Sequence, residues 1–171
     1  MSSGMRVLAI DPGNIRSAYC LIDVESLRPL EYGIEENEAL RELLRDKLYT
    51  QWPTQVVIEM VASYGMPVGE EVFDTVRWIG RFEERCNQIC GNYPALVKRM
   101  EEKMHICHNS RARDSNIRQA LIDRFAQHDK KNGRGTKTTP DWFYGFKKDI
   151  WSAYAVGITY IETKLPERSH T

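Results

Sequence analysis

Four apolar residues, Val7, Leu8, Ala9 and Ile10, run straight into Asp11, Pro12 and Gly13. A short β-compatible run that ends in an acid and two turn formers reads as a buried strand delivering a carboxylate. Val56-Val57-Ile58-Glu59 repeats the design, and Asp149 opens an apolar C-terminal segment. Acids in such places are candidates for a site holding two divalent cations about 4 Å apart. Donor sets made only of oxygen favour magnesium or manganese over zinc. Gly13 adds to the case for Asp11, because it lets backbone approach a phosphate or a neighbouring strand.

The order of elements narrows the fold. Residues 5–11 and Ala18 to Val24 read as strands joined by the turn Asn14-Ile15-Arg16, and Arg28 to Ile34 as a third antiparallel strand. Asn37 is a candidate cap for a helix over Glu38 to Leu48, whose leucines at 40, 43, 44 and 48 share a face. A helix between strands generally links parallel neighbours, so the strand at 55–59 is expected beside the first, with Glu59 near Asp11. Beyond a polar-aromatic loop holding Ser63, Tyr64, Gly65 and Pro67, a long helix repeats Val72, Val76, Ile79, Phe82 and Cys86 inward, with Gly80 as a point of close backbone approach. A short strand from Leu96 to Arg99, a short helix from Glu101 to Cys107, a helix capped by Ser115, and a packed helix from about Lys148-Asp149 complete the chain. Trp78 and Trp151 are expected in the core. Residues 127–140 read as a mobile basic loop, and 1–4 and 165–171 as flexible tails.

At 171 residues the chain suits a single domain, 1–171. Lys plus Arg and Asp plus Glu balance at 24 each, but residues 98–137 carry 11 basic and 5 acidic side chains. Arg111, Arg113, Lys130, Lys131, Arg134 and Lys137 in that segment are candidate phosphate contacts. The glycines of the 130–137 loop let amides approach phosphates as well. No apolar run approaches the ~20 residues of a membrane span, and the N-terminus lacks a signal pattern, so a cytoplasmic protein is expected. Cys86 and Cys90, with His105, Cys107 and His108, form only a weak zinc pattern, because structural zinc sites show tighter paired spacings.

Ile10-Asp11-Pro12-Gly13 before a hairpin, Ile58-Glu59 after a helix, and the terminal Asp149-Ile150-Trp151-Ser152-Ala153-Tyr154-Ala155-Val156-Gly157 resemble the RuvC Holliday junction resolvases, most nearly those carried by bacteriophages. Glu102-Lys103-Met104-His105 resembles the family's lysine-bearing helix. The resemblance spans about residues 5–162. It implies an α/β, ribonuclease H-like fold with a mixed five-stranded sheet flanked by helices. It also implies a homodimer, with the helix from Val72 to Cys86 as a candidate interface, that cuts four-way or branched DNA to leave a 5′-phosphate, in the cytoplasm of a bacterial host if phage-encoded.

The same resemblance implies Asp11, Glu59 and Asp149 as ligands of two Mg2+ or Mn2+ ions, Lys103 near the scissile phosphate, and Tyr64 in a loop that meets the junction centre. Two departures stand out. Ser152 falls where the family has a fourth acid; a hydroxyl is a poor magnesium ligand but can hold a metal-bound water. Asp114 falls where a second basic residue is usual, so either Arg111 or Arg113 takes that role or Asp114 joins the acidic site. The alternatives to a junction nuclease are a branched-DNA binding protein with weak or no cleavage and a nuclease for structured RNA. An ATPase of the actin and sugar-kinase type is disfavoured, since the chain is too short for its two domains.

Overall fold

The computed structural model describes residues 4–50 and 54–165. Strands β1 (Arg6–Asp11), β2 (Arg16–Asp23) and β3 (Pro29–Glu36) form an antiparallel meander. Helix α1 (Asn37–Thr50) then crosses to β4 (Thr54–Met60), which lies parallel to β1, and α2 (Glu70–Cys90) crosses to β5 (Ala95–Lys98), parallel to β4. The sheet order is β3-β2-β1-β4-β5. Helix α3 (Arg99–Glu102) runs on into one π-helical turn, Lys103–Cys107, and α4 (Asp114–Phe125) and α5 (Ile150–Thr163) follow. This is the mixed five-stranded α/β architecture expected.

Side-chain alternation along the strands divides the core in two. Leu8, Ile10, Tyr19, Leu21, Val56 and Ile58 face α1 and α2, where Leu40, Leu44, Ile79 and Phe82 meet them. Val7, Ala9, Cys20, Ile22, Val57 and Val97 face α4 and α5. Helix α5 sits close because Gly157 has no side chain: a Cβ there would run into Ile22 and lie 3.1 Å from the Ala9 Cβ. Around α5, Phe143, Phe146, Trp151 and Tyr154 interlock, mostly edge to face. Trp78 is half-buried against the α1/α2 cluster. Both tryptophans named from the sequence therefore pack inward.

Several local expectations are corrected. Asn37 opens α1, but its buried side chain bonds the β1–β2 turn instead of capping the helix. Ser115 does not cap α4: the cap position is Arg113, whose amide donates to the Asn116 side chain at 2.8 Å. On α2 the buried stripe runs through Thr75, Ile79, Phe82 and Cys86, leaving Val76 exposed, and Gly80 faces open space. Cys86 and Cys107 pack on opposite faces of the sheet, which rules out a shared zinc site for them. Leu165, expected to open a loose tail, is buried in the core; the remainder of that tail and residues 1–3 lie outside the described residues.

Residues 127–140, expected as a mobile basic loop, carry a set of internal hydrogen bonds. The Asp129 carboxylate accepts the amides of Asn132, Arg134 and Gly135. Asp141 accepts those of Gln127, His128, Asp129 and Trp142, which hold its pKa well below the usual carboxylate range against the opposing effect of desolvation. Gly133 is buried in left-handed backbone against Ile122 and Phe143.

Candidate active site

Ile10 of β1 lies beside Ile58 of β4 in parallel register, so the next residues, Asp11 and Glu59, come side by side at the carboxyl ends of the two central strands. Val7, Ala9 and Val57 face α5, and alternation therefore turns Asp11 and Glu59 to that same side. On that side Asp11 feels the charge of Asp149, the residue immediately before α5. Its predecessor Lys148 has left-handed backbone, with φ 46°, and Asp149 makes no capping bond to its own helix. Its carboxylate is left for the site.

Burial, then the charges of Glu59 and Asp149, push the Asp11 carboxyl well above its ordinary range, while Arg99 pulls it down. Burial raises Glu59 too, opposed by Arg99 and by a hydrogen bond shared with Asp11. Like charges gathered in a poorly solvated place need protons or a cation for balance. The oxygen-only donor set fits a hard divalent ion. Among the described residues no three His, Cys, Asp or Glu side chains stand close enough together to enclose one as they are placed. The donor chemistry thus fits the class of ion.

Two further residues lie at the site: Arg99, expected from the sequence only as one of the phosphate-neutralising cations of the basic 98–137 segment, and Glu102, expected only as part of the segment around Lys103. Arg99, first in α3, donates from Nη1 to Glu102 Oε1 at 2.8 Å and pairs through Nη2 with Asp114. Glu102 is 0% exposed; burial first and Glu59 second drive its carboxyl far upward. The available sequence signal was an i, i+3 Arg–Glu pair that begins one residue after the apolar Ala95–Val97 run. Arg99, Asp114, Arg118, Lys148, Asp149, Trp151 and Ser152 line a cleft of about 290 Å³. Asp114 thus lies at the acidic site, and Ser152 shares the cleft with Asp149.

The remaining candidates lie further out. Lys103 is half-buried at the start of the π turn and makes no ion pair among the described residues. Arg111 and Arg113 are exposed in the turn before α4 and do not line the cleft. Lys130, Lys131, Arg134 and Lys137 are exposed on the 127–140 loop. Tyr64 is exposed in the loop after β4, in left-handed backbone with φ 50° beside Gly65. Arg134 and Lys147 flank one groove, and Arg16, Glu35, Lys147, Lys148 and Asp149 line a second that continues to the cleft. Arg16, Lys147 and Lys148 had not been picked out from the sequence. A cavity of about 450 Å³ at the other end of the sheet has no charged lining residue among the described residues.

The mixed five-stranded sheet and its flanking helices give the chain an α/β fold like that of RuvC. The chain is similar to the Thermus thermophilus RuvC structure, with a TM-score of 0.67 and 16% identity over 91% of this chain and 93% of that one. It is similar also to T. thermophilus RuvC in complex with a Holliday junction substrate, with a TM-score of 0.67 and 15% identity over 91% and 92% of the two chains. No protein-family model and no curated protein matches the sequence. At such identities the likeness establishes the fold.

Proposed function

We propose that the protein is a metal-dependent, structure-selective endodeoxyribonuclease that resolves Holliday junctions and other branched DNA by phosphodiester hydrolysis. The observation that carries this reading is the side-by-side placement of Asp11 and Glu59 at the ends of adjacent parallel strands, within the electrostatic reach of Asp149, in a RuvC-like fold. Asp11, Glu59 and Asp149, with Ser152 through a water, would hold two Mg2+ or Mn2+ ions, which supply an activated water and charge stabilisation at the leaving oxygen.

The chain's own residues account for substrate binding. Arg134, Lys147, Lys148 and Arg16 follow the two grooves toward Asp149 and neutralise successive phosphates of one strand. Lys103, Arg111, Arg113, Lys130, Lys131 and Lys137 extend the basic surface around the site. Tyr64 offers a ring to an unstacked base, a contact typically contributing about 1–3 kcal/mol. The exposed stripe Phe73, Val76 and Gly80 on α2 is the face for a second copy, whose two-fold axis would match that of a junction.

The test is cleavage of a synthetic four-way junction against duplex of the same sequence, in Mg2+ and in Mn2+. Wild type is expected to nick the junction selectively, and Asp11→Asn to bind it without cutting. An Asp11→Asn protein that cuts at the wild-type rate, with contaminating nuclease excluded, overturns the mechanism. Binding without turnover in either ion points to the non-cutting branched-DNA binder, and preference for an RNA hairpin over the junction points to an RNA substrate.

A further inference from the structure

Arg99 is held in an unusual way. One carboxylate partner, Glu102, is fully buried, and its second oxygen has no hydrogen-bond partner among the described residues; the other, Asp114, has an 83% exposed side chain. The Arg99 side chain is 23% exposed and lines the cleft that contains Asp149. Across that cleft Arg118 lies over the Trp151 ring, 4.7 Å from its centroid, and makes no ion pair among the described residues. Two guanidinium groups are thus fixed at the cleft, one by a buried carboxylate and one by an aromatic face.

The two partners of Arg99 differ in how readily they can be replaced. Releasing Glu102 would strand an acid that has no access to water, whereas an exposed ion pair is nearly neutral in free energy and exchanges with solvent. A guanidinium has five donors in a planar fork, and only two are committed here. Phosphodiester oxygens match that fork better than a single carboxylate oxygen does. We infer that the cleft is the binding site for the phosphodiester about to be cut, with Arg99 as its principal cation, Glu102 as the positioning residue for Arg99, and Asp114 as a carboxylate that keeps the place until DNA displaces it. This rests on the nuclease reading for the word "cut"; the phosphodiester site itself stands on the cleft geometry.

Binding of a fluorescein-labelled single strand and of a labelled four-way junction is followed by anisotropy without divalent metal, alongside single-turnover junction cleavage in Mg2+. Arg99→Gln is expected to weaken binding of both probes about tenfold, the size of a lost charge-assisted bidentate pair. Asp114→Asn is expected to tighten both about fivefold, the upper range for freeing an exposed pair. The gain from Asp114→Asn must vanish in the Arg99→Gln background.

Glu102→Gln, whose carbonyl still accepts from Arg99, is expected to bind and cut within about twofold of wild type, since the bond it keeps is the one that positions the guanidinium. Glu102→Leu is expected to behave as Arg99→Gln, while circular dichroism shows it folded; a Glu102→Leu protein that fails to fold leaves the Arg99 and Asp114 cycle to decide. A gain that persists in the double variant means Asp114 merely repels DNA, and overturns the inference. So does an Arg99→Gln protein with wild-type binding and cleavage. If the junction is never cut yet the Arg99-dependent gain is seen, the nuclease reading falls and the phosphodiester site stands. If neither probe binds wild type, both fall.

Discussion

The Asn37 side-chain amide donates to the Gly13 carbonyl at 2.9 Å, tying the first residue of α1 to the turn that follows Asp11. The ring closes through Ser17: its hydroxyl donates to Asn37 Oδ1 at 2.6 Å and accepts the Gly13 amide at 3.0 Å. A Cβ at Gly13 would collide with the Arg16 carbonyl, so the turn admits glycine alone. Asn37→Ala would leave the Gly13 carbonyl and Ser17 hydroxyl without these partners, a loss of about 1–3 kcal/mol. Urea unfolding should show that loss, and junction cleavage should fall with it because the turn sets the end of β1.

The acids of the site make a pH prediction with a definite sign. Asp11 is raised in the folded protein from an ordinary value of 3.8 by burial and by Glu59 and Asp149. A carboxyl raised on folding favours the native state at low pH, and that advantage is lost as pH climbs past the unfolded value toward the folded one. Asp11→Asn should therefore be more stable than wild type near neutral pH, with the difference closing toward pH 4. Thermal melts across pH 4–8 check this. Mn2+ binding should release protons, detected by titration calorimetry in buffers of different ionisation enthalpy, and Asp11→Asn should release fewer.

Glu162 gives the opposite sign. Arg124 grips its carboxylate with two bonds of 2.7 Å and His105 adds a third at 3.0 Å, and the Arg124 bonds lead in lowering its pKa to about 2. The stability it contributes is present above its unfolded value near 4.5 and disappears as pH falls through 2. Because Arg124 is partly solvated, Glu162→Gln should cost about 1 kcal/mol at pH 7. The gap between the variant and wild type should narrow in melts at pH 3.

Two glycines on helices should respond in opposite directions. Gly157→Val forces a branched side chain against Ile22 and Ala9 and should destabilise by about 1–3 kcal/mol, the usual cost of overpacking. Gly80→Ala places a methyl in open space on α2 and should stabilise by up to about 1 kcal/mol through helix propensity. Denaturant midpoints read both.

The antiparallel first three strands, the parallel placement of β4 beside β1 and the nearness of Glu59 to Asp11 were legible in the sequence, because two apolar runs each ended in an acid and a helical pattern lay between them. Local patterning could not place Val76 outward or build the 127–140 loop. Val76 has helical periodicity, but its exposure depends on how α2 lies on the sheet. The loop's amides are satisfied by Asp129 and Asp141, and the Asp141 bonds close across a dozen residues of chain.

The sequence by itself determined that carboxylates would stand at the ends of buried strands, since alternation and turn chemistry are local. Only the tertiary structure decided that Arg99, Glu102 and Asp114 would join them. Arg99 and Asp114 are 15 positions apart, and an ion pair across that distance depends on where α3 and α4 pack. The buried state of Glu102 likewise follows from the elements folded over it, and an exposed glutamate would carry the same letter.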